Sequence, residues 1–319
     1  MHQGQGGAGE AASRARGALL ALARGRRVGG AREGRRTDLA WAPAPGELEA
    51  LNVVEPGVYR DIGLRAARLG LVHDVAGLDG APTATPPMPP MPSMPPVPPV
   101  RSARAGETPL RNVWPADDLE PVDDAIICGV LLGVTLPSDP IDGLVAGVTT
   151  ALSRSVGLAH VDESAPLIAA TAGVAAAVSA GIEGASWPQR VALAAWACDE
   201  GAATGSYRPG PRLSARLTWA CALAERAETD PVDVVSLLVG NSAIPQEAVP
   251  AGFALAAVGT DVPSTQRAAV ALGGRSRTIA GLAGALVAAA GAPAGQQPSD
   301  PLGDLVGALV TRRSAVASG

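Results

Sequence analysis

The chain has 319 residues, a net charge of −5 and an aromatic content of 3%. This length is enough to bury a sizeable core, and the negative charge gives no electrostatic reason to expect a nucleic acid as a partner. Alanine, glycine, valine and leucine dominate, and such small side chains favour close packing of helices over a sheet sandwich. Apart from three histidines every basic residue is an arginine, so no lysine can act as a Schiff-base nucleophile.

The cysteines and the apolar segments bear on the cellular compartment. Cys128, Cys198 and Cys221 are widely spaced in apolar stretches and form no C-x-x-C pair. This pattern predicts buried free thiols in a reducing compartment rather than disulfides or a zinc site. Residues 1–16 lack the apolar core of a signal peptide, and the most apolar run, residues 279–290, is shorter than the ~20 residues that span a bilayer. We therefore expect a cytoplasmic protein with no membrane contact.

The N-terminal part of the chain contains few regular elements. Residues 1–11 are small and polar, which predicts disorder, and residues 12–24 supply the apolar side of a first helix. The basic, glycine-rich residues 25–36 predict a solvated loop that would also suit an anion, because guanidinium groups match phosphate geometry. Residues 51–71 predict one or two short helices. Prolines at nearly every second position of residues 82–99 predict a polyproline II or disordered loop or linker, with a ligand for a proline-recognising domain as the alternative.

From residue 122 onward, amphipathic stretches with short breaks predict helices and no strands. Asp230 before a proline and Ser264 before Thr265 are typical helix starts, and glycines fall where helices should end. The predicted helices span residues 123–132, 141–156, 164–183, 188–200, 213–228, 231–239, 246–258, 264–272, 275–290 and 301–315. We therefore predict an all-α fold in which residues 12–319 form one helical domain, interrupted by the proline-rich segment.

Four segments carry a resemblance to a known family. Residues 271–285, A-L-G-G-R-S-R-T-I-A-G-L-A-G-A, resemble the C-terminal signature of the ADP-ribosylglycohydrolase family, N-L-G-G-D-T-D-T-I-A-A-I-A-G-A. Residues 14–29 are similar to the family's opening helix, R-x-x-G-x-L-x-G-x-A-x-G-D-A-L-G, residues 158–170 to its T-H-x-x-P/E-A stretch, and residues 246–254 to its E-S-V-P-A-A-L helix start. The resemblance implies an ADP-ribosylglycohydrolase-like helical bundle and a hydrolase that removes ADP-ribosyl groups.

The resemblance also implies a pair of Mg²⁺ ions, held by a T-D-D-T motif and by the acids of D-x-D-T. This chain has Arg275 and Arg277 in place of the D-x-D-T acids, retains Thr278, and has Arg26 in place of the aspartate of G-D-A-L-G. Mg²⁺ requires oxygen ligands and is repelled by guanidinium groups. We therefore predict that the metal centre does not form and that the chain has no cofactor.

No T-D-D-T motif is found in the sequence. The nearest fragments are Thr37-Asp38, Asp117-Asp118 and Asp123-Asp124. The last one precedes an apolar helix, as the family motif does, but it lies too near His160 for the family order. The metal-binding acids are therefore predicted to be largely replaced.

Two interpretations of Arg275 and Arg277 stay open. In the first they bind an anion, such as the diphosphate of ADP-ribose, at a helix N-terminus whose dipole favours negative charge. In the second they fill the vacated metal cavity and pair with internal acids such as Asp123 or Asp124. The predicted ligand-binding residues are Arg26, Gly273, Gly274, Arg275, Ser276, Arg277 and Thr278.

The predicted function is that of a catalytically impaired, ADP-ribosylglycohydrolase-like protein that binds an ADP-ribose-like or other anionic ligand. An active hydrolase and a structural or interaction protein without a ligand are the alternatives. His160 suits a helix cap better than a general base, and Glu247 either reaches the site or complements a helix dipole. The tryptophans are predicted to pack in the core, with stacking on an adenine as the alternative; they are Trp41, Trp114, Trp187, Trp196 and Trp219.

Overall fold

A computed structural model describes residues 4–30, 56–72, 120–155, 165–205, 209–292 and 302–318, and within these ranges the chain is helical without strands. The helices are α1 (Gly4–Gly30), α2 (Pro56–Arg68), α3 (Glu120–Thr135), α4 (Ile141–Ser155), α5 (Ala165–Ile182), α6 (Trp187–Ala203), α7 (Leu213–Glu225), α8 (Pro231–Val234) with a π-helical turn over Val235–Val239, α9 (Pro245–Val258), α10 (Val262–Ala271), α11 (Ser276–Ala289) and α12 (Gly303–Ser318). The predicted all-α fold is confirmed.

The predicted C-terminal helices agree with the observed ones apart from a few residues at their ends. Asp230 caps α8 as expected, because its carboxylate accepts the Val232 N–H at 2.9 Å. Ser264 is not a helix cap, and that prediction was wrong. α10 begins two residues earlier, where the carboxylate of Asp261 accepts the Ser264 N–H at 2.7 Å. The proline in the first turn of α10 is tolerated because its missing N–H would have no partner within the helix.

The N-terminal helix is longer than predicted. α1 runs over Gly4–Gly30, so residues 4–11, predicted to be disordered, and residues 25–30, predicted to be a loop, are helical. The glycines of this region serve close packing: a Cβ on Gly25 would lie 2.3 Å from the Ala280 carbonyl oxygen of α11. The short helix predicted within residues 51–71 is confirmed as α2. The proline-rich segment lies outside the described residues.

The core is built around α5 and α11, whose side chains are almost all buried. α5 packs on α3 and α6, whereas α11 packs on α1, α9 and α10. Small residues allow the backbones to approach: a Cβ on Gly133 of α3 would lie 2.6 Å from the Ala175 carbonyl oxygen of α5. The alanine- and glycine-rich composition therefore stabilises the fold through close helix contacts.

Among the described residues α5 is the one helix long and apolar enough to cross a membrane, so the expectation that the most apolar run is too short to do so does not hold for this helix. Over Ala165–Ile182 its mean hydropathy is 1.8, so by length and composition it would be able to cross a membrane. However, 89% of this window is buried inside the molecule. A mostly buried core helix passes the same test, so the segment is weak evidence for a membrane span.

Several arginines join helices by donating hydrogen bonds to backbone carbonyls. Arg313 of α12 donates to the Gly133 and Leu136 carbonyls, at 3.0 and 2.7 Å, and so caps the C-terminal end of α3. Arg190 is buried beneath the Trp187 ring and donates to carbonyls of α5 and α11 at 3.0 and 2.6 Å. Burial lowers the pKa of its guanidinium to about 10. These arginines hold the bundle together.

The cysteines are free and buried, as predicted, and burial raises the pKa of the Cys221 thiol to about 12. Trp41 and Trp114 lie outside the described residues, and for the other three tryptophans the prediction of core packing is only partly confirmed. Trp187 packs on Phe253 with 6.0 Å between ring centroids. Trp196 and Trp219 are 51% and 43% exposed, so core packing was the wrong prediction for them. Small side chains fill the core instead.

Candidate functional site

The site lies where the C-terminal end of α1 meets the N-terminal end of α11. The two helices run antiparallel, because Gly17 of α1 faces Ala288 of α11 and Gly29 faces Ser276. The start of α3 packs against the same place. This arrangement brings Arg26 from the last turns of α1 and Thr278 from the first turn of α11 to the first turn of α3.

An ion pair stands at the centre of this site. Arg26 Nη1 donates to Asp123 Oδ1 at 2.6 Å, and Thr278 Oγ1 donates to the same oxygen at 2.7 Å. The Arg26 and Asp123 side chains are only 7% and 14% exposed. One carboxylate oxygen therefore accepts two short hydrogen bonds in a nearly dry environment, which are the conditions under which charged hydrogen bonds are strongest.

A second carboxylate extends the network to α2. Arg26 Nη2 lies 3.6 Å from Asp61 Oδ2, and Asp61 forms a close ion pair with Arg65 one turn further along α2. Asp61 is 41% exposed, so its contact with Arg26 is weaker than the buried pair. Arg26 thus lies between two carboxylates, one buried and one near the surface.

The charges around Asp123 hold it in the ionised state. Burial alone would raise the pKa of this carboxyl, but the charge and hydrogen bond of Arg26, the hydrogen bond of Thr278 and the charge of Arg275 outweigh burial. The pKa of Asp123 is therefore lowered from its ordinary value. Asp123 is a carboxylate at neutral pH and a weak proton acceptor.

The turn before α11 places the remaining predicted residues. Gly273 and Gly274 have φ angles of +64° and +55°, and Arg275 follows as the N-cap residue. The hydroxyl of Ser276 is buried and donates to the Gly29 carbonyl at 2.8 Å. The guanidinium of Arg277 lies over the end of α1, where a Cβ on Gly30 would be 3.1 Å from its Nη2 atom. Ser276 and Arg277 therefore face α1, whereas Arg275 acts on Asp123.

Asn241 contacts this turn from the loop before α9. Its backbone carbonyl accepts the Arg275 N–H at 3.0 Å, and its side-chain amide donates to the Leu272 carbonyl at 2.6 Å. Glu247, which was considered for the site itself, instead accepts the Ser242 N–H at 3.1 Å and closes the same loop. Sequence reasoning missed Asn241, because nothing in its local pattern points to residues 31 positions away.

Asp123 was named as a possible internal partner of the arginines but not among the predicted site residues, although its sequence context contained a usable signal. The pair Asp123-Asp124 directly precedes an apolar helix, and this feature was outweighed by the short distance to His160 along the chain. The structure pairs Asp123 with Arg26 and Thr278, whereas the second interpretation had named Arg275 and Arg277 as its partners. His160, Thr37-Asp38, Asp117-Asp118 and the side chain of Asp124 lie outside the described part of the chain.

The comparisons with known proteins agree with the geometry. A family model described as ADP-ribosylglycohydrolase matches residues 106–295, a range that includes both Asp123 and the α11 turn. No curated protein sequence matches the chain significantly. A solved structure titled "ADP-ribosylglycohydrolase-related protein complex" aligns with 97% of this chain and 99% of that chain, at 16% identity and a TM-score of 0.51, which supports the fold alone. Since the family model covers more than half of the sequence, the chain belongs to the ADP-ribosylglycohydrolase family.

Proposed function

We propose that this chain is a non-hydrolysing member of its family that has no Mg²⁺ centre and binds an anionic, ADP-ribose-like ligand. The observation that carries the proposal is the 2.6 Å ion pair between Arg26 and Asp123, with Thr278 donating to the same oxygen. The resemblance of residues 14–29 to the family's opening helix implies an aspartate at the position of Arg26 in members that use Mg²⁺. The guanidinium of Arg26 thus supplies the positive charge that Mg²⁺ would otherwise supply.

The groups around Asp123 do not fit Mg²⁺. This ion requires an octahedral shell of oxygen atoms at about 2.0–2.1 Å, whereas Asp123 Oδ1 already accepts hydrogen bonds from Arg26 and Thr278. The charge of Arg275 also acts on this carboxylate and would repel a divalent ion. Within the described ranges no group of three or more His, Cys, Asp or Glu residues is suited to a metal. The donor set suits a structural ion pair.

The state of Asp123 also supports the loss of hydrolysis. A general base works best when its pKa lies near the working pH, whereas the pKa of Asp123 is lowered. Its Oδ1 atom is engaged by two donors, so it has little capacity to take a proton from water. Asp123 therefore neutralises Arg26 and does not activate a nucleophile.

The anion-binding part of the proposal rests on the start of α11. Arg275 and Arg277 are partly exposed there, beside a double-glycine turn and the positive end of the helix dipole. The diphosphate of ADP-ribose is a ligand of matching charge, because guanidinium groups bind phosphate oxygens in a forked geometry. In this proposal the ligand binds to Arg275 and Arg277, and the ion pair between Arg26 and Asp123 stays intact.

A thermal-shift and calorimetric titration of the full chain tests both parts. Mg²⁺ and ADP-ribose are added separately and together, and release of ADP-ribose from ADP-ribosylated protein is measured in parallel. A ligand that binds only the native state raises the unfolding midpoint as its concentration exceeds the Kd. We expect stabilisation by ADP-ribose without Mg²⁺, no specific stabilisation by Mg²⁺, and no release of ADP-ribose.

Two arginine variants sharpen the titration. Arg275→Ala should weaken ADP-ribose binding by roughly 10–100-fold, the value of one or two charged hydrogen bonds. Arg226→Ala, at the exposed end of α7, removes the same charge away from the site and should leave the affinity within about twofold. Mg²⁺-dependent release of ADP-ribose would overturn the loss of the metal centre. If ADP-ribose does not stabilise the chain, the ligand-binding part of the proposal is wrong and a structural or interaction role replaces it.

A further inference from the structure

Asn241 binds both ends of the turn that leads into α11. Its side-chain Nδ2 donates to the Leu272 carbonyl at 2.6 Å, before the two glycines, and its carbonyl accepts the Arg275 N–H at 3.0 Å, after them. A single residue thus spans Gly273 and Gly274. The direction in which the chain enters α11 is fixed by these two bonds.

The fit between Asn241 and the turn leaves no room for other side chains. Gly274 has a φ angle of +55°, and a Cβ at this position would lie 2.5 Å from the Asn241 carbonyl oxygen and 2.8 Å from its Cγ atom. Gly273 also has a positive φ angle, of +64°. Two consecutive left-handed residues give a tight turn that residues with a Cβ rarely adopt. The turn is therefore shaped around Asn241.

The loop that carries Asn241 is itself held on both sides. Arg216 of α7 donates to the Val239 carbonyl and to the Gln246 carbonyl, both at 2.6 Å, which lie before and after the loop. The carboxylate of Glu247 accepts the Ser242 N–H at 3.1 Å. Because its neighbours are fixed by these bonds, Asn241 is a rigid support for the turn.

We propose that Asn241 is a positioning residue for anion binding, which acts by fixing the backbone of Arg275 at the start of α11. This inference rests on the proposed function, since Arg275 is the residue through which it acts. Asn241 donates its side-chain amide to the Leu272 carbonyl and accepts the Arg275 N–H with its own carbonyl, so both groups are engaged within the turn. Because Asn241 already accepts the Arg275 N–H, the group that it positions for the ligand is the Arg275 guanidinium.

The consequence for binding is preorganisation. A free turn with two glycines would populate many conformations, and ordering it on binding would reduce the affinity. Asn241 removes this loss by ordering the turn before the ligand arrives. The effect of Asn241 on ligand affinity therefore depends on the presence of the Arg275 side chain.

A double-mutant cycle on the full-length chain tests this dependence. Binding of inorganic pyrophosphate and of ADP-ribose is measured by calorimetry for the parent chain, Asn241→Ala, Arg275→Ala and the double variant. We expect Asn241→Ala to weaken binding about fivefold or more when Arg275 is present, and to have no further effect when Arg275 is absent. Ser242→Ala, the neighbouring substitution, should stay within about twofold of the parent chain.

The outcomes separate the inference from the proposed function. If Arg275→Ala leaves the affinity for pyrophosphate unchanged, the anion site itself is wrong and the inference fails with it. If Arg275→Ala weakens binding but Asn241→Ala does not, or if the two effects simply add, only the positioning role is overturned. Hydrogen exchange of residues 272–276 without ligand, which should be faster in Asn241→Ala, checks the contact directly. Should Asn241→Ala fail to fold, Asn241→Ser replaces it.

Discussion

The two helices α1 and α11 are joined in different ways along their length. Around Gly25 they touch backbone to backbone, because a Cβ there would lie 2.3 Å from the Ala280 carbonyl oxygen. At the next residue, Arg26 leaves the pair and reaches Asp123 of α3 at 2.6 Å. The contact at Gly25 leaves no space for a side chain, whereas the contact at Arg26 depends on the opposite charges of Arg26 and Asp123. One helix pair thus contains a close apolar contact and a buried ion pair only one residue apart.

Removing the buried carboxylate tests the polar end and should have the largest effect. Asp123→Ala leaves Arg26 with the longer contact to Asp61, at 3.6 Å, as its carboxylate neighbour among the described residues. Breaking a buried ion pair in this way lowers the free energy of unfolding by about 3–5 kcal/mol. Urea denaturation gives the value. Glu200→Ala, an exposed acid of α6, should change it by less than about 0.5 kcal/mol. Equal effects of both variants would show that the ion pair does not stabilise this end.

Adding one methyl group tests the apolar end and should have an intermediate effect. Gly25→Ala forces α1 away from α11 and lowers the free energy of unfolding by about 1–3 kcal/mol, as overpacking does. Gly17→Ala is the matched control in the same helix, because the nearest atoms to its Cβ belong to Ala288 at 3.6 Å, an ordinary contact distance. This control should be neutral or stabilising by up to about 1 kcal/mol. A stable Gly25→Ala variant would contradict the close crossing.

Lowering the pH should have the smallest effect on the free energy of unfolding. Of the two contacts, it changes only the ion pair between Arg26 and Asp123. The pKa of Asp123 is lowered from the ordinary 3.8, so its contribution to stability is complete above this value and is lost as the pH falls through the lowered pKa. The difference in unfolding free energy between the parent chain and Asp123→Asn should be constant near neutral pH and narrow below pH 3.8. Leu217→Ala, a substitution in α7 that changes no titratable group, should differ from the parent chain by the same unfolding free energy at every pH. An Asp123→Asn difference as large at pH 3 as at pH 7 would contradict the ion pair.

The helices after residue 122 were predictable because local features define them. Runs of small apolar residues are interrupted by glycine and proline, and these interruptions end helices wherever the chain is in solvent. The same rule failed for residues 25–30, which form the last turns of α1. Gly25 and Gly29 are not breaks, because both lie against the backbone of α11. A sequence does not distinguish a glycine that ends a helix from one that admits a neighbouring helix.

The site was predictable to the extent that it depends on a resemblance. Arg26, Arg275 and Thr278 were identified by their positions in two family motifs, and the structure brings them to one carboxylate. The pairing of Asp123 with Arg26 was missed, since the two residues lie 97 positions apart along the chain and are joined only by tertiary packing. Asn241 was missed for the same reason. The residues that contact a motif residue are determined by how the helices pack, and local sequence patterns carry no information about that packing.

The position of Arg26 between Asp61 and Asp123 limits how this chain can change in evolution. A substitution of Arg26 by aspartate alone would place three carboxylates side by side, and a loss of Asp123 alone would leave a buried cation without its closest counter-ion. Each single step lowers stability, although both end states, a protein-borne cation and an acidic cation site, are self-consistent. Neither Arg26 nor Asp123 is therefore expected to change unless a compensating charge, from another side chain or from a bound cation, is present.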